Sequence, residues 1–95
     1  MLEVYKADYV SDYRIHLVFN NGRVGTANLE QMILNDSRLI FSRLKEESVF
    51  KNFKVEHSTI VWSDELDLAS EYLFYLAFKN DPDLQEQFKA WGYTA

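Results

Sequence analysis

The sequence predicts an α+β fold: a small antiparallel sheet built from hairpins, with short helices and a C-terminal helical pair packed on it. Three features predict it. Polar and apolar residues alternate from Tyr13 to Asn20 and run into Asn21-Gly22, a half-buried strand joined to a strong hairpin signal. The segment 71–91 is instead apolar at helical spacing, broken once at Asn80-Asp81-Pro82. One proline and three glycines stand against seven Phe, six Tyr and two Trp in 95 residues, so a single domain, 1–95, can build its core from few, large side chains.

Taken in order, residues 2–6 read as a short first strand. In the second, 12–20, Tyr13, Ile15, Leu17 and Phe19 share a core face, while Arg14, His16, Val18 and Asn20 share a polar one. Asn21 and Gly22 both tolerate positive φ, and residues 23–28 return antiparallel. Asn28 is placed to cap a helix over 29–34, with Gln31 positioned for a capping box. Asn35-Asp36-Ser37 interrupts, and a second helix is expected over 38–45 with Ile40, Phe41 and Leu44 on one side. Val49, Phe50 and Phe53 are core anchors. Residues 54–56 and 59–62 form a second hairpin about His57-Ser58, which 66–68 extends. Ser70 reads as the cap of a third helix, 71–79, whose core face uses Tyr72, Leu73, Leu76 and Ala77. Phe74, Tyr75 and Phe78 leave it apolar nearly all round, so it needs cover on more than one side. Asp81 as cap and Pro82 at the first helical position open a fourth helix, ending near Gly92 and striped by Leu84, Phe88 and Trp91.

Charge and composition exclude several functions. The net charge of −5 lies wholly in the C-terminal third, where Asp64, Glu65, Asp67, Glu71, Asp81, Asp83 and Glu86 face only Lys79 and Lys89. Duplex binding normally needs a concentrated basic face, so direct contact with nucleic acid is disfavoured. The chain has no cysteine, which removes disulfides, thiolate metal sites and a thiol nucleophile and leans towards the cytoplasm. No apolar run approaches the roughly 20 residues of a membrane span, and the N-terminus has no signal-peptide pattern.

No motif carries catalysis, and no cofactor is implied. Asp64, Glu65 and Asp67 form a weak acidic cluster, but a calcium loop needs more ligands and a central glycine; a solvated turn is the expected reading. His16 falls on the polar strand face and His57 in a turn, with no nucleophile elbow or oxyanion loop to orient a triad. Gly22-x-x-Gly25 lacks the strand-to-helix context and the Lys-Ser/Thr of a phosphate loop. The remaining candidates are aromatic. Phe74, Tyr75, Phe78, Phe88, Trp91 and Tyr93 outnumber what one face of each helix can bury, which makes them a possible protein interface, with burial against the sheet as the alternative.

The order Asp12-Tyr13, Leu17-Val18-Phe19, Asn21-Gly22, Gly25, Asn28-Leu29, Phe41, Leu44, Phe50, Phe53, Ile60-Val61-Trp62, Leu66-Asp67-Leu68 and Ser70-Glu71-Tyr72-Leu73 resembles the bacterial domain-of-unknown-function family 2442. The resemblance covers residues 2–73. It implies a small mixed domain with the fold of the N-terminal domain of a Nitrosomonas protein. It also implies relatives that carry a helix-turn-helix domain afterwards, and others that pair with small proteins in toxin–antitoxin-like couples. No catalytic residues come with it. Two departures stand out: Ser63-Asp64-Glu65 replaces a turn that holds Pro and Gly in relatives, and the acidic aromatic tail 74–95 is too short for a helix-turn-helix domain. The expected function is a non-enzymatic protein-interaction module, as the antitoxin-like partner of a small bacterial protein or as a homo-oligomer. The alternative is a regulatory adaptor that meets nucleic acid only through a basic partner. A small metal-dependent or hydrolytic enzyme is the third reading.

Overall fold

The strands divide between two three-stranded antiparallel sheets, so the hairpins build two small sheets. The structure, a computed structural model, describes residues 1–35, 42–63 and 66–94. The first sheet has the order β1 (Val4–Tyr9), β2 (Arg14–Phe19), β3 (Val24–Asn28); the second has β4 (Lys54–Glu56), β5 (Thr59–Ser63), β6 (Leu66–Leu68). Between the sheets run α1 (Glu30–Asn35), a 3₁₀ turn (Arg43–Lys45) and α2 (Glu47–Phe50). After them come α3 (Ser70–Phe78), a 3₁₀ turn (Pro82–Leu84) and α4 (Gln85–Ala90). Ile40 and Phe41 of the expected second helix lie outside the described residues, as do Asp64 and Glu65.

The alternation in β2 sets the core. Ile15 and Leu17 are 0% and Phe19 1% exposed, and Tyr13 packs half-buried beside them. Sheet pairing explains why the first strand runs on to Tyr9: Ala7 lies opposite Leu17 and Tyr9 opposite Ile15. The second strand starts later than its alternation suggests. Asp12 and Tyr13 sit at φ 50° and 64°, closed by Arg14 N–H donating to Ser11 C=O at 2.9 Å, so they form the turn that joins β1 to β2. Only Gly22 of the Asn21-Gly22 pair uses positive φ, at 86°. The loop is Asn20-Asn21-Gly22, a turn followed by a left-handed glycine, with Phe19 N–H donating to Arg23 C=O at 3.0 Å.

Of the expected helix caps, that of Asn28 holds and that of Ser70 changes hands. Asn28 Oδ1 accepts from Glu30 N–H at 2.9 Å, so Asn28 itself provides the cap that opens α1. The residue preceding α3 is Ala69; the Ser70 hydroxyl instead donates to Leu2 C=O at 2.9 Å, tying the start of α3 to the segment that leads into β1. A second tie joins the sheets, with Val4 N–H donating to Ser58 C=O at 2.9 Å. The indole of Trp62 donates to Phe50 C=O at 2.8 Å. Phe50, Ile60, Leu66, Leu68, Leu73, Phe74, Leu84 and Phe88 complete one core with β2. None of the described helices is long and apolar enough to cross a membrane.

Candidate functional site

The C-terminal aromatics converge. Phe74 on α3 meets Phe19 edge-on at 5.1 Å, Phe78 at 4.8 Å, and Phe88 and Trp91 at 6.1 Å each. Tyr75 meets Phe88 at 5.1 Å and stacks on Tyr93 at 5.0 Å. These edge-on and stacked pairs stabilise beyond the area they bury. The buried residues of α3 are Leu73 and Phe74: Leu73 lies on the expected face of Tyr72, Leu73, Leu76 and Ala77, whose other members are half-buried, and Phe74 joins it because α4 docks on that side and supplies Phe88. Asp81 accepts from Asp83 N–H at 2.9 Å and opens the segment that carries Phe88, as expected. Its first turn is 3₁₀, with the α-helix starting at Gln85. Gly92 at φ 88° ends it, and Tyr93 N–H donates back to Phe88 C=O at 2.9 Å, the closure that folds Tyr93 over the helix end.

Of the six aromatics, Phe74 and Phe88 are 2% and 0% exposed, occupied entirely within the chain. Tyr75, Phe78, Trp91 and Tyr93 are half-buried; Phe78 packs on Gly25 of β3, Phe19 and Phe74, and Tyr75, Trp91 and Tyr93 are what the pair of helices presents outward. Partial burial, and then the nearby Glu71 carboxylate, push the Tyr93 phenol above its ordinary value. Phe78 is clamped from outside: the Arg23 guanidinium lies 5.7 Å from its ring centre and bonds Asp81 at 3.2 Å.

Tyr72 belongs to the same surface. Its ring is 6.4 Å from Tyr75 and 5.7 Å from Tyr93, and it borders a shallow hollow of about 310 Å³ between α1 and α3, lined by Asn28, Gln31, Met32, Tyr72, Leu76 and Lys79. The sequence reading did not single out this hollow. The signal was there: Tyr72, Tyr75, Leu76 and Lys79 are spaced i, i+3, i+4, i+7, one helical stripe. What the spacing could not reveal was which element α3 leaves uncovered.

The polar candidates scatter. His16 lies on the outer face of the first sheet, its Nδ1 3.3 Å from Thr26 Oγ1. His57 sits at the far hairpin tip with φ 52°, and Asp67 is exposed on β6. Among the described residues no three His, Asp or Glu side chains gather as a metal-ligand set.

This fold, two small antiparallel sheets closed by a C-terminal helical pair, defines a compact α+β scaffold with an aromatic surface. The chain belongs to the family of proteins of unknown function DUF2442, whose profile matches residues 4–79. The match takes in the whole of α3 and so extends beyond residue 73, the end of the resemblance carried by the sequence. A crystal structure from Nitrosomonas europaea, of a protein named there a putative DNA binding protein, superposes with a TM-score of 0.74 at 8% identity, covering 100% of this chain. At that identity the likeness shows the fold alone, and the chain spans 63% of the length of that structure. No curated protein matches the sequence.

Proposed function

We propose that this chain is a non-enzymatic protein-interaction module of the cytoplasm, and that it meets its partner through Tyr75, Trp91 and Tyr93. The observation that carries the reading is the half-buried set of rings left on the outside of α3 and α4 after Phe74 and Phe88 have filled the core. Aromatic side chains of this kind anchor protein interfaces at low entropic cost. The charge around them selects the partner. Glu71 lies beside Tyr93, and Asp83 and Glu86, both exposed, belong to the same segment. An acidic rim favours a basic protein and speeds its association more than it tightens it. A small basic partner, held as in an antitoxin-like pair, fits that description.

A second reading is supported by the name of the Nitrosomonas europaea protein: an adaptor that reaches nucleic acid through its basic partner. One experiment addresses both. The wild type and a Tyr75→Glu variant, each checked for native circular dichroism, are used to recover bound proteins from the source cell. The reading expects a basic protein held by the wild type and lost by Tyr75→Glu. Equal recovery by both would remove the aromatic surface from consideration. Duplex DNA added to the isolated chain should bind only at a salt-sensitive background; binding that appears when the partner is added favours the adaptor.

A further inference from the structure

We propose that the free edge of β3 pairs with β3 of a second copy of this chain, joining the first sheets of two molecules into one continuous antiparallel sheet. The register shows which backbone groups are available. Phe19 N–H donates to Arg23 C=O and Leu29 N–H to Tyr13 C=O, and Leu17 lies opposite Gly25 and Ile15 opposite Ala27. Hydrogen-bonded pairs alternate along an antiparallel ladder. Gly25 and Ala27 therefore use their backbone groups on β2, while Val24, Thr26 and Asn28 direct theirs away from the sheet.

Sheets normally protect such an edge with charge, proline or a bulge. The other described edge strands do so. β1 carries Lys6, Asp8 and a bulge between Val4 and Lys6, β4 carries Lys54 and Glu56, and β6 carries Asp67. β3, Val-Gly-Thr-Ala-Asn, has none of these, and Val24 is 52% exposed. The occupant follows from this composition. Pairing about a two-fold axis through Thr26 sets Thr26 of one copy opposite Thr26 of the other and Val24 opposite Asn28. All three are residues whose groups point outward. For a chain of net charge −5, this uncharged edge is where two copies meet without opposing like charges, and threonine pairs across strands are favourable. A two-fold seam closes on itself and does not propagate.

So short a seam should associate at roughly 0.1–1 mM protein. Light scattering and sedimentation of the purified chain should show monomer passing to dimer across that range. Amide exchange at Val24, Thr26 and Asn28 should slow as the dimer forms. Thr26→Pro removes an outward N–H and no bond of the monomer's own ladder, so it should keep native circular dichroism and remain monomeric; Tyr75→Glu should still dimerise. The proposal is overturned by a wild type that stays monomeric throughout, by a dimer whose three amides exchange as in dilute solution, or by a dimer that survives Thr26→Pro. Should Thr26→Pro not fold, the wild-type exchange result decides.

Discussion

At Gly25 the backbone of β3 lies so near α3 that a β-carbon would sit 2.8 Å from Phe78 Cε1 and 2.9 Å from Cζ. The ring could retreat only by disturbing Phe74 at 4.8 Å and the Arg23 guanidinium above it. Gly25→Ala is therefore expected to destabilise the chain by about 1–3 kcal/mol, as overpacking of a formed core does. Urea unfolding measures it, and Phe78→Leu in the same chain should recover part of the loss. An unchanged midpoint would mean that the ring moves freely. The sequence displayed Gly25 only as the second glycine of a G-x-x-G spacing. Its reason is a helix more than fifty residues away, which no local pattern contains.

Hairpins were legible as elements, and their turn chemistry only in part. Asn21-Gly22 announced its turn, although the loop also takes in Asn20 and only the glycine adopts positive φ. His57-Ser58 was placed correctly between the strands 54–56 and 59–62, yet both residues adopt positive φ, at 52° and 67°, a conformation that side chains resist by roughly 1 kcal/mol or more each. Replacing them with Asn-Gly, the pair this turn prefers, should raise stability by about 1 kcal/mol, read as a higher urea midpoint with unchanged slope. The bond from Val4 N–H to Ser58 C=O involves backbone alone and survives the exchange. The Asp12-Tyr13 turn does not admit the same repair. The Tyr13 ring packs edge-on against Phe50 at 5.1 Å and its hydroxyl bonds Lys45 C=O, so the side chain that strains the turn also anchors it.

Across the whole molecule, the C-terminal helical pair is both cover and surface. Phe88 is 0% exposed and touches Phe74, Tyr75 and Trp91, although it lies beyond residue 79, where the family match ends. Phe88→Ala should cost about 3–5 kcal/mol, the usual penalty for emptying a buried aromatic site, and should lower the unfolding midpoint of the entire chain in one transition. A separate early transition confined to the tail would show that α4 rests on the rest without being part of its core.

What the sequence determined by itself was whatever short-range pattern encodes. It gave the period-two face of β2, the helix-opening Asp81-Pro82, the hairpin positions, the acidic C-terminal third and the family order of apolar residues. Each depends on neighbours a few positions apart, where backbone geometry fixes the outcome. Tertiary structure decided the rest. It divided the strands between two sheets, added Phe74 to Leu73 as the buried residues of α3, and gave the Ser70 hydroxyl to Leu2, ahead of the first strand. It also left Tyr75, Trp91 and Tyr93 half outside. Those outcomes depend on which surfaces meet, and an amphipathic pattern specifies that a face is to be buried without specifying the element that buries it.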